Sequence, residues 1–361
     1  MNRRLLLVSA GALATGGAVA ATSFARMGSA ESYAAAMAAL RAPLGSDPAL
    51  LDLVRYVTLA PSGHNTQPWR FRITDDQARI SPDFSRRTTI VDPDDHHLYV
   101  SLGCAAENLA LAAQSVGRAS EARFDQGGVL LDFASGAAVG SPLFGAIPQR
   151  RSTRAEYDGR PVGISELGLL ESAAETPGVD VELVTDRPRL DRLRELVMAG
   201  ASAQMADPAF VAELAHWMRF NPQAALRHGD GLYSAASGNP ILPTWLASPL
   251  FKVVFQPKSE NEKYDRHLRS SAGVAVFIGA RADPAHWVRV GRACQRFALQ
   301  ATALGLKTAF INQPVEVANL RGELATLAGA PGTRPDIVMR FGRGPSLPMS
   351  PRRPAGAVID A

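Results

Sequence analysis

Two stretches of this chain resemble each other, and their repetition restricts the folds that the chain can adopt. Each begins an apolar helical pattern near an Asp-Pro pair and ends it at a glycine, after which a strand pattern follows. The first stretch runs from Asp92-Pro93 to Gly117, and the second runs from Asp283-Pro284 to Gly305. A fold with two related halves would account for this repetition.

The segments that precede these helices also match, and in the same order. Residues 50–59 form an apolar helical pattern that leads into a strand ending at 73–75, and residues 169–177 lead in the same way into 181–186. The second copy reaches its strand sooner because it has no counterpart of residues 65–69. Two matches in one order indicate an internal duplication, whereas the alternative is a chance alignment of two amphipathic helices.

Residues 61–69 form a loop between the first of these helices and its strand, with the sequence Pro-Ser-Gly-His-Asn-Thr-Gln-Pro-Trp. Pro61 and Pro68 fix the backbone at the two ends. The Asn and Gln amides between them both donate and accept hydrogen bonds. Such a loop suits the polar edge of a flat heteroaromatic ligand. The alternative is a proline-stiffened turn whose Trp69 is buried in the core.

A cluster of three arginines follows Pro148, in the segment Arg150-Arg151-Ser152-Thr153-Arg154. In the first turn of a helix, Ser152 would cap the helix and Arg150 and Arg154 would share one side. Three guanidinium groups beside free backbone N–H groups would bind a doubly charged phosphate. The alternative is a basic turn exposed to solvent.

The composition argues against several classes of function. The net charge is only +4 and no Lys/Arg block carries interleaved aromatic residues, which argues against a nucleic-acid partner. Cys104 and Cys294 are the only cysteines, so the chain has neither a disulfide framework nor a Cys-x-x-Cys site. The 7 histidines show no metal-ligand spacing, and we therefore expect no metal. At 361 residues the chain could form one large domain or two of ordinary size.

Residues 1–25 differ from the rest of the chain. Arg3-Arg4 precedes an apolar run rich in Ala and Gly that extends to about Phe24, with small-residue cleavage sites at 18–20 and 23–25. This pattern predicts a secretory signal, and the paired arginines are typical of a twin-arginine signal (Tat). The mature chain is therefore expected in the periplasm. The alternatives are an uncleaved membrane anchor and an Ala-rich tail.

Four segments together resemble the nitroreductase family of FMN-dependent oxidoreductases. They are the loop at 61–69, the arginine cluster at 150–154, the strand and loop at 305–314, and the last predicted strand with its tail at 337–354. The resemblance covers roughly residues 46–355. It is greatest to the single-chain, duplicated branch of the family, the Acg-type FMN-binding proteins.

The resemblance also implies which residues hold FMN. The 61–69 loop would lie against the isoalloxazine ring, the 150–154 segment would grip the phosphate and ribityl chain, and residues 312–313 would approach the flavin N5. An arginine of the tail would also reach the phosphate. The implied cofactor-binding residues are Pro61, Ser62, Gly63, Asn65, Gln67, Arg150, Arg151, Ser152, Arg154, Asn312, Gln313, Arg352 and, as the second choice for the tail arginine, Arg353. No side chain stands out as a general acid.

The positions of these groups imply a fused dimer. In a nitroreductase dimer the loop and the phosphate-binding residues of each site come from opposite subunits, and here they come from opposite halves of one chain. We therefore expect an α+β, nitroreductase-like fold, duplicated within one chain and monomeric, that binds one FMN. The expected halves are residues 46–145 and 146–355. Residues 208–269 match nothing in the first half and are expected to form a lid-like insertion, unless they are a plain helical excursion.

The function implied by the resemblance is that of an FMN-dependent oxidoreductase. Hydride or electrons would pass through the flavin N5 to a small acceptor, namely a nitroaromatic, a quinone or an activated alkene. The donor would be NAD(P)H or, outside the cytoplasm, another reductant. Two alternatives are a non-catalytic store or sensor of FMN whose flavin is covered by the lid, and an exported module of this fold that has lost the flavin.

Overall fold

A computed structural model describes Phe24, residues 26–45 and residues 48–360. Except for Phe24, the predicted twin-arginine signal at 1–25 therefore lies outside the described residues. None of the helices in the described ranges is long and apolar enough to cross a membrane.

The first half is built on an antiparallel sheet of 4 strands in the order β1-β2-β4-β3. Its strands are β1 (Trp69–Ile73), β2 (Gln77–Pro82), β3 (Arg118–Asp125) and β4 (Gly128–Ser135). Its helices are α1 (Ala30–Leu40), α2 (Leu50–Thr58), α3 (His96–Ser115) and α4 (Pro142–Ala146). Strands β3 and β4 form a hairpin around Gln126-Gly127, and both turn residues have the positive φ that a tight hairpin turn requires.

The second half contains another antiparallel sheet of 4 strands, in the order β5-β8-β10-β9. With numbering in chain order, its strands are β5 (Val179–Val184), β8 (Gly273–Gly279), β9 (Lys307–Phe310) and β10 (Pro335–Gly342). Its helices are α5 (Ile164–Ala174), α6 (Arg187–Ala206), α11 (Pro284–Ala303), α12 (Gln313–Glu316) and α13 (Arg321–Leu327). All of β10 is buried, and its residues are apolar except for the charged pair of positions Asp336 and Arg340.

The two halves share one arrangement. In each, two strands of the sheet precede a helix of 20 residues and two follow it, and the order β1-β2-β4-β3 corresponds position by position to β5-β8-β10-β9. A shorter helix precedes the first strand of each sheet, α2 in one half and α5 in the other. The predicted α+β fold class is therefore confirmed, and the arrangement recurs in the two halves as the sequence repeat leads one to expect.

Helices α3 and α11 cross at Gly103 and Gly291. A Cβ on Gly103 would overlap the backbone carbonyl of Val288, and a Cβ on Gly291 would overlap the carbonyl of Val100. Each glycine thus contacts the residue that lies three positions before the other glycine. Two contacts that mirror each other in this way are what a two-fold axis between the helices produces. The crossing joins the halves within the largest apolar cluster of the core.

The insertion lies between helix α6 and strand β8, and it contains four α-helices and a small parallel sheet. Its elements are α7 (Pro208–Trp217), β6 (Met218–Arg219), α8 (Pro222–His228), β7 (Leu232–Tyr233), α9 (Thr244–Val254) and α10 (Pro257–Arg269). Asp230 ties the insertion to the first half through an ion pair with Arg86, and it also pairs with Arg219 at 2.6 Å. The two arginines lie over the ring of Trp217. The pair of Asp230 with Arg86 thus fixes the insertion to the first half, and the pair of Asp230 with Arg219 holds Asp230 in place within the insertion.

The predicted helical turn at 150–154 is wrong. This segment is not helical, because its backbone pairs with the edge strand β9: Ser152 forms an isolated parallel bridge with Thr308, and the N–H of Thr153 donates to the carbonyl of Thr308 at 2.8 Å. Ser152 therefore caps no helix. Arg150 and Arg154 have different surroundings instead of sharing one side of a helix.

Candidate functional site

A cavity of about 240 Å³ lies where the two halves and the insertion meet. The first half contributes the start of the 61–69 loop, and the second half contributes Arg154 and residues 312–313. The insertion closes it with apolar side chains, among them Phe210, Leu214, Phe251 and Phe255. Of the predicted site residues, Pro61, Ser62, Gly63, Arg154, Asn312 and Gln313 line this cavity.

The 61–69 loop presents only its first residues to the cavity. His64, Asn65 and Gln67 all have positive φ angles, between 45° and 55°, so the backbone turns sharply after Gly63. The Ser62 hydroxyl oxygen accepts the backbone N–H of Gln67 at 3.0 Å and stabilises this turn. The remainder of the loop is thereby directed away from the cavity wall.

Asn65 and Gln67 bind the insertion and the tail. The Asn65 side-chain amide donates to the carbonyls of Gly231 at 3.0 Å and Pro351 at 3.1 Å, and the Gln67 amide donates to Gly229 at 2.8 Å. In return, the Gln67 side-chain oxygen accepts the backbone N–H of Arg353 at 2.9 Å. Both amides are buried, and their hydrogen bonds hold the 229–231 turn against the loop.

Arg154 is a cation in the cavity wall without a counterion. Among the described residues it forms neither a hydrogen bond nor an ion pair, and burial lowers the pKa of its guanidinium. The neighbouring groups that affect it are the phenols of Tyr264 and Tyr157, which are uncharged at neutral pH because burial raises their pKa. The side chain is half-buried and faces the cavity, and a partly desolvated charge without a partner is unfavourable, so Arg154 is prepared to bind an anion or a strong hydrogen-bond acceptor.

Asn312 and Gln313 begin the short helix α12 at the cavity edge. The Asn312 side-chain oxygen accepts the backbone N–H of Val338 at 2.9 Å, which fixes the loop to the neighbouring strand β10. The Gln313 amide donates to the Tyr264 hydroxyl at 2.7 Å, while its oxygen is buried without a partner among the described residues. Gln313 therefore has an unused acceptor at the cavity.

Arg150 and Arg352 lie behind the loop, next to the carbonyl end of α2. Arg352 donates to the carbonyls of Thr58, Leu59 and Ala60, and Arg150 donates to the same Leu59 oxygen at 3.1 Å. These contacts are favourable at the negative end of a helix. Neither arginine pairs with a carboxylate in the part of the chain that the structure describes, and the Nε of Arg150 has no partner there. The predicted tail arginine and the predicted phosphate arginine thus come together, although neither lines the cavity.

Three other predicted residues lie near Arg150 and Arg352 but have partners of their own: Arg151, Ser152 and Arg353. Arg151 donates to the carbonyl of Leu347 at 2.9 Å, and Ser152 is held in the bridge to β9. Arg353 donates to the carbonyls of Gln67 and Ala357 and lies 3.9 Å from Asp83. With an acidic neighbour and its own set of carbonyls, Arg353 is less suited to bind an anion than Arg352.

The sequence analysis missed a titratable pair in the cavity wall. His97 Nε2 lies 3.5 Å from Glu316 Oε1, and the Gln204 amide donates to the other oxygen of Glu316 at 2.5 Å. His64 is nearby, with its Nδ1 buried and unpartnered among the described residues, and burial lowers its pKa to about 4. The sequence signal was Glu316 itself, which comes two residues after the Asn312-Gln313-Pro314 motif.

The charges of this pair follow from their surroundings. Burial by itself would lower the pKa of His97, but the hydrogen bond to Glu316 and the negative charges of Asp92 and Glu316 raise it above 6.5. Burial would likewise raise the pKa of Glu316, but His97 and Gln204 lower it below 4.5. Below the raised pKa of His97, an imidazolium and a carboxylate therefore face each other. Adjacent His96 pairs with Asp336 at 2.9 Å instead, and its ring lies 4.6 Å from the ring of His97.

We expect Glu316→Gln to lower the pKa of His97, because burial and the charge of Arg334 would then oppose Asp92 alone. A raised His pKa stabilises the fold below the pKa of the unfolded state, and this stabilisation is lost as the pH rises through the folded pKa. The loss of stability in the variant, relative to the parent, should therefore be largest between the folded pKa of Glu316 and the raised folded pKa of His97. NMR titration of the His97 ring measures the shift. The exposed Glu171→Gln is the control, and an unchanged His97 pKa in Glu316→Gln would contradict the pairing.

The fold and the site together define a class of protein: an α+β chain with two related halves and one cavity that both halves line. Comparison with known proteins agrees with this class, although no family model matches the chain. The chain is 28% identical over 322 residues to a Mycobacterium tuberculosis protein named "Putative NAD(P)H nitroreductase Rv3131", covering 83% of this chain and 88% of that protein. It is 26% identical over 326 residues to "Putative NAD(P)H nitroreductase acg" of the same organism, covering 85% and 93%. The resemblance to single-chain members of the nitroreductase family that the motifs predicted is thereby confirmed.

Solved structures with partial similarity include two flavoproteins. A nitroreductase with bound FMN from Desulfitobacterium hafniense matches with a TM-score of 0.37 and 15% identity, covering 60% of this chain and 94% of that chain. The FMN-dependent nitroreductase NfnB from Mycobacterium smegmatis, in complex with NADPH, matches with a TM-score of 0.36 and 16% identity, covering 55% and 86%.

Proposed function

We propose that this chain is an FMN-dependent oxidoreductase of the nitroreductase type that reduces a small acceptor in the cavity between its halves. The observation that carries this proposal is the meeting of the 61–63 loop, the unpaired Arg154 and residues 312–313 around one cavity. A flat ring with polar edges needs such donors and acceptors. FMN, when bound, supplies the electron-transfer chemistry.

The residues behind the loop suit the phosphate of that cofactor. Arg150 and Arg352 share the Leu59 carbonyl and have no carboxylate partner among the described residues, and the buried Nε of Arg150 has no acceptor. A phosphate would supply both the missing acceptor and the missing negative charge. The donor set of this chain therefore fits a phosphorylated flavin better than an unphosphorylated one.

Arg154 would favour negative charge in the cavity. Its guanidinium is half-buried in the cavity wall and unpaired within the described residues, so it stabilises an anion there more strongly than it would in bulk water. Reduction of a flavin adds negative charge to the ring, and Arg154 is the side chain that we assign to stabilise it. The role of the protein here is electrostatic, with the loop and residues 312–313 fixing orientation.

The finer parts of the proposal concern the acceptor, the donor and the assembly. The aromatic side chains of Phe210, Phe251 and Phe255 in the cavity wall support a flat acceptor, namely a nitroaromatic, a quinone or an activated alkene. The names of the two mycobacterial relatives support NAD(P)H as donor. A monomer is proposed because the second half supplies the side of the site that a partner subunit would supply in a dimer.

A second candidate, a non-catalytic store or sensor of FMN, is favoured by one observation. The insertion lines the cavity and is tied to the first half by the ion pair of Asp230 with Arg86. A cover held in this way could keep acceptors from the flavin. Both candidate functions require bound FMN, but only the oxidoreductase reduces an acceptor repeatedly.

We expect the purified protein to be yellow and to contain one FMN per chain. Dithionite or NADPH should bleach it, and a quinone or nitroaromatic should restore the colour, which absorbance and HPLC of the extracted flavin measure. Two flavins per chain would contradict the single composite site, and FAD would contradict the phosphate-binding cluster. Bound FMN that no acceptor reoxidises would favour the store or sensor, and a colourless protein that takes up no added FMN would contradict the proposal.

Export to the periplasm is part of the proposal. It rests on Arg3-Arg4 and the apolar run after them, which lie outside the described residues.

A further inference from the structure

Helix α1 lies before both predicted halves, yet it is bound to the insertion and the tail. The Tyr33 ring lies 4.4 Å from the ring of Tyr233, and the Tyr33 hydroxyl donates to the carbonyl of Met349 at 2.6 Å. Tyr33 and Met37 are buried. The helix therefore holds Arg41, the residue directly after its C-terminal end, in a defined place near the tail.

Arg41 joins the arginines behind the 61–69 loop. Its guanidinium donates to the carbonyls of Met37 at 3.2 Å and Ser350 at 3.3 Å, and Arg352 also donates to Ser350 at 3.5 Å. Arg352 in turn shares the Leu59 carbonyl with Arg150. Two shared acceptors thus link three guanidinium groups into one cluster.

This cluster lacks negative charge. Within the described ranges, none of Arg41, Arg150, Arg151 and Arg352 forms an ion pair with a carboxylate, and the Nε atoms of Arg41 and Arg150 are buried without a partner. Backbone carbonyls satisfy some of the N–H groups but neutralise none of the charge. Burial and mutual repulsion lower the pKa of Arg41 and of Arg150 to about 10 each. Buried charges are usually paired, so an anion is the missing partner of this cluster.

We propose that Arg41 is a phosphate-binding residue, and that docking of helix α1 is thereby coupled to binding of a dianionic phosphate, the phosphate of FMN. This inference rests on the proposed function. Arg41 and Arg150 each offer a free Nε, and Arg352 holds the two guanidinium groups in one cluster through its shared acceptors. By linkage, phosphate binding stabilises the docked α1, and an undocked α1 weakens phosphate binding by the same factor.

The test compares FMN with riboflavin, which has the same ring and no phosphate, on the full chain. Arg41→Gln should weaken FMN about ten- to hundredfold and leave the affinity for riboflavin unchanged, as measured by flavin fluorescence titration. The control is Arg160→Gln, whose exposed side chain pairs with no described residue other than Asp158. FMN, but not riboflavin, should also slow proteolysis within α1 in the parent chain.

Arg41→Lys separates charge from packing. It keeps the positive charge but breaks the guanidinium contacts to Met37 and Ser350 as Gln does, so it should recover a large part of the FMN affinity. Equal FMN affinity in Arg41→Gln and Arg160→Gln would overturn the inference, and so would a lysine variant as weak as the glutamine one or equal protection of α1 by riboflavin. If the parent chain binds no flavin at all, the proposed function fails as well.

Discussion

Replacing Gly103 by alanine is expected to lower the free energy of unfolding by about 3 kcal/mol or more, at the upper end of what overpacking costs. The added Cβ would overlap the backbone carbonyl of Val288 on helix α11. A flexible side chain could move aside, but a backbone carbonyl within a helix cannot move alone. The two long helices would therefore have to separate along the core that joins the halves. Denaturant unfolding followed by circular dichroism measures the loss.

The matched control is Gly168→Ala in helix α5. Gly168 is exposed, and a Cβ there would have no atom within 4 Å. The same substitution should stabilise the chain there by about 0.5–1 kcal/mol, because alanine is the better helix former. Equal effects at the two positions would contradict the tight crossing at Gly103 and Gly291.

The second large effect is expected from Arg150→Ala combined with Arg154→Ala. Each guanidinium would lose a charge-assisted hydrogen bond, about 1.5–3 kcal/mol apiece, so the double variant should bind FMN two to four orders of magnitude more weakly. The two side chains have different surroundings, with Arg150 in the cluster behind the loop and Arg154 in the cavity wall. Flavin titration of the single and double variants measures the loss.

Riboflavin distinguishes the two arginines. Arg150→Ala should leave riboflavin binding nearly unchanged, because the cluster behind the loop is assigned to the phosphate. Arg154→Ala should weaken both flavins and lower the reduction potential of the bound cofactor, because the lost charge stabilises the reduced ring. A double variant that retains FMN as tightly as Arg160→Ala would mean that the phosphate lies elsewhere.

Much of the fold could be predicted from the sequence because its signals are local. The Asp-Pro pairs and terminal glycines at 92–117 and 283–305 mark helices α3 and α11, and the hairpin around Gln126-Gly127 follows from its turn residues. The arginine segment at 150–154 misled a local interpretation. A serine between arginines is typical of a helix start, but pairing of Ser152 and Thr153 with Thr308 determines the backbone there. That partner lies far away along the chain.

The site was only partly predictable for the same reason. Residue types located the loop, the arginine cluster and the Asn312-Gln313 motif, and six of the predicted residues, Arg154 among them, line the cavity. Residue types could not show that Asn65 and Gln67 bind the turn at 229–231, since that turn lies in an insertion with no counterpart in the first half. Residue types also could not show that Arg41 lies next to Arg352, or that Glu316 lies next to His97.

The sequence by itself determined the α+β class, the repeated halves and the short motifs, because helix ends, turns and periodic burial depend on neighbouring residues. Only the tertiary structure decided which side chains of those motifs face the cavity and which are used to hold the molecule together. Asn65 has its hydrogen-bonding groups satisfied by Gly231, Pro351 and Arg352, whereas Arg154 has no partner among the described residues. Whether a polar group is satisfied or left free depends on chain segments that are distant in sequence, and the spacing of residues in a motif carries no information about those segments.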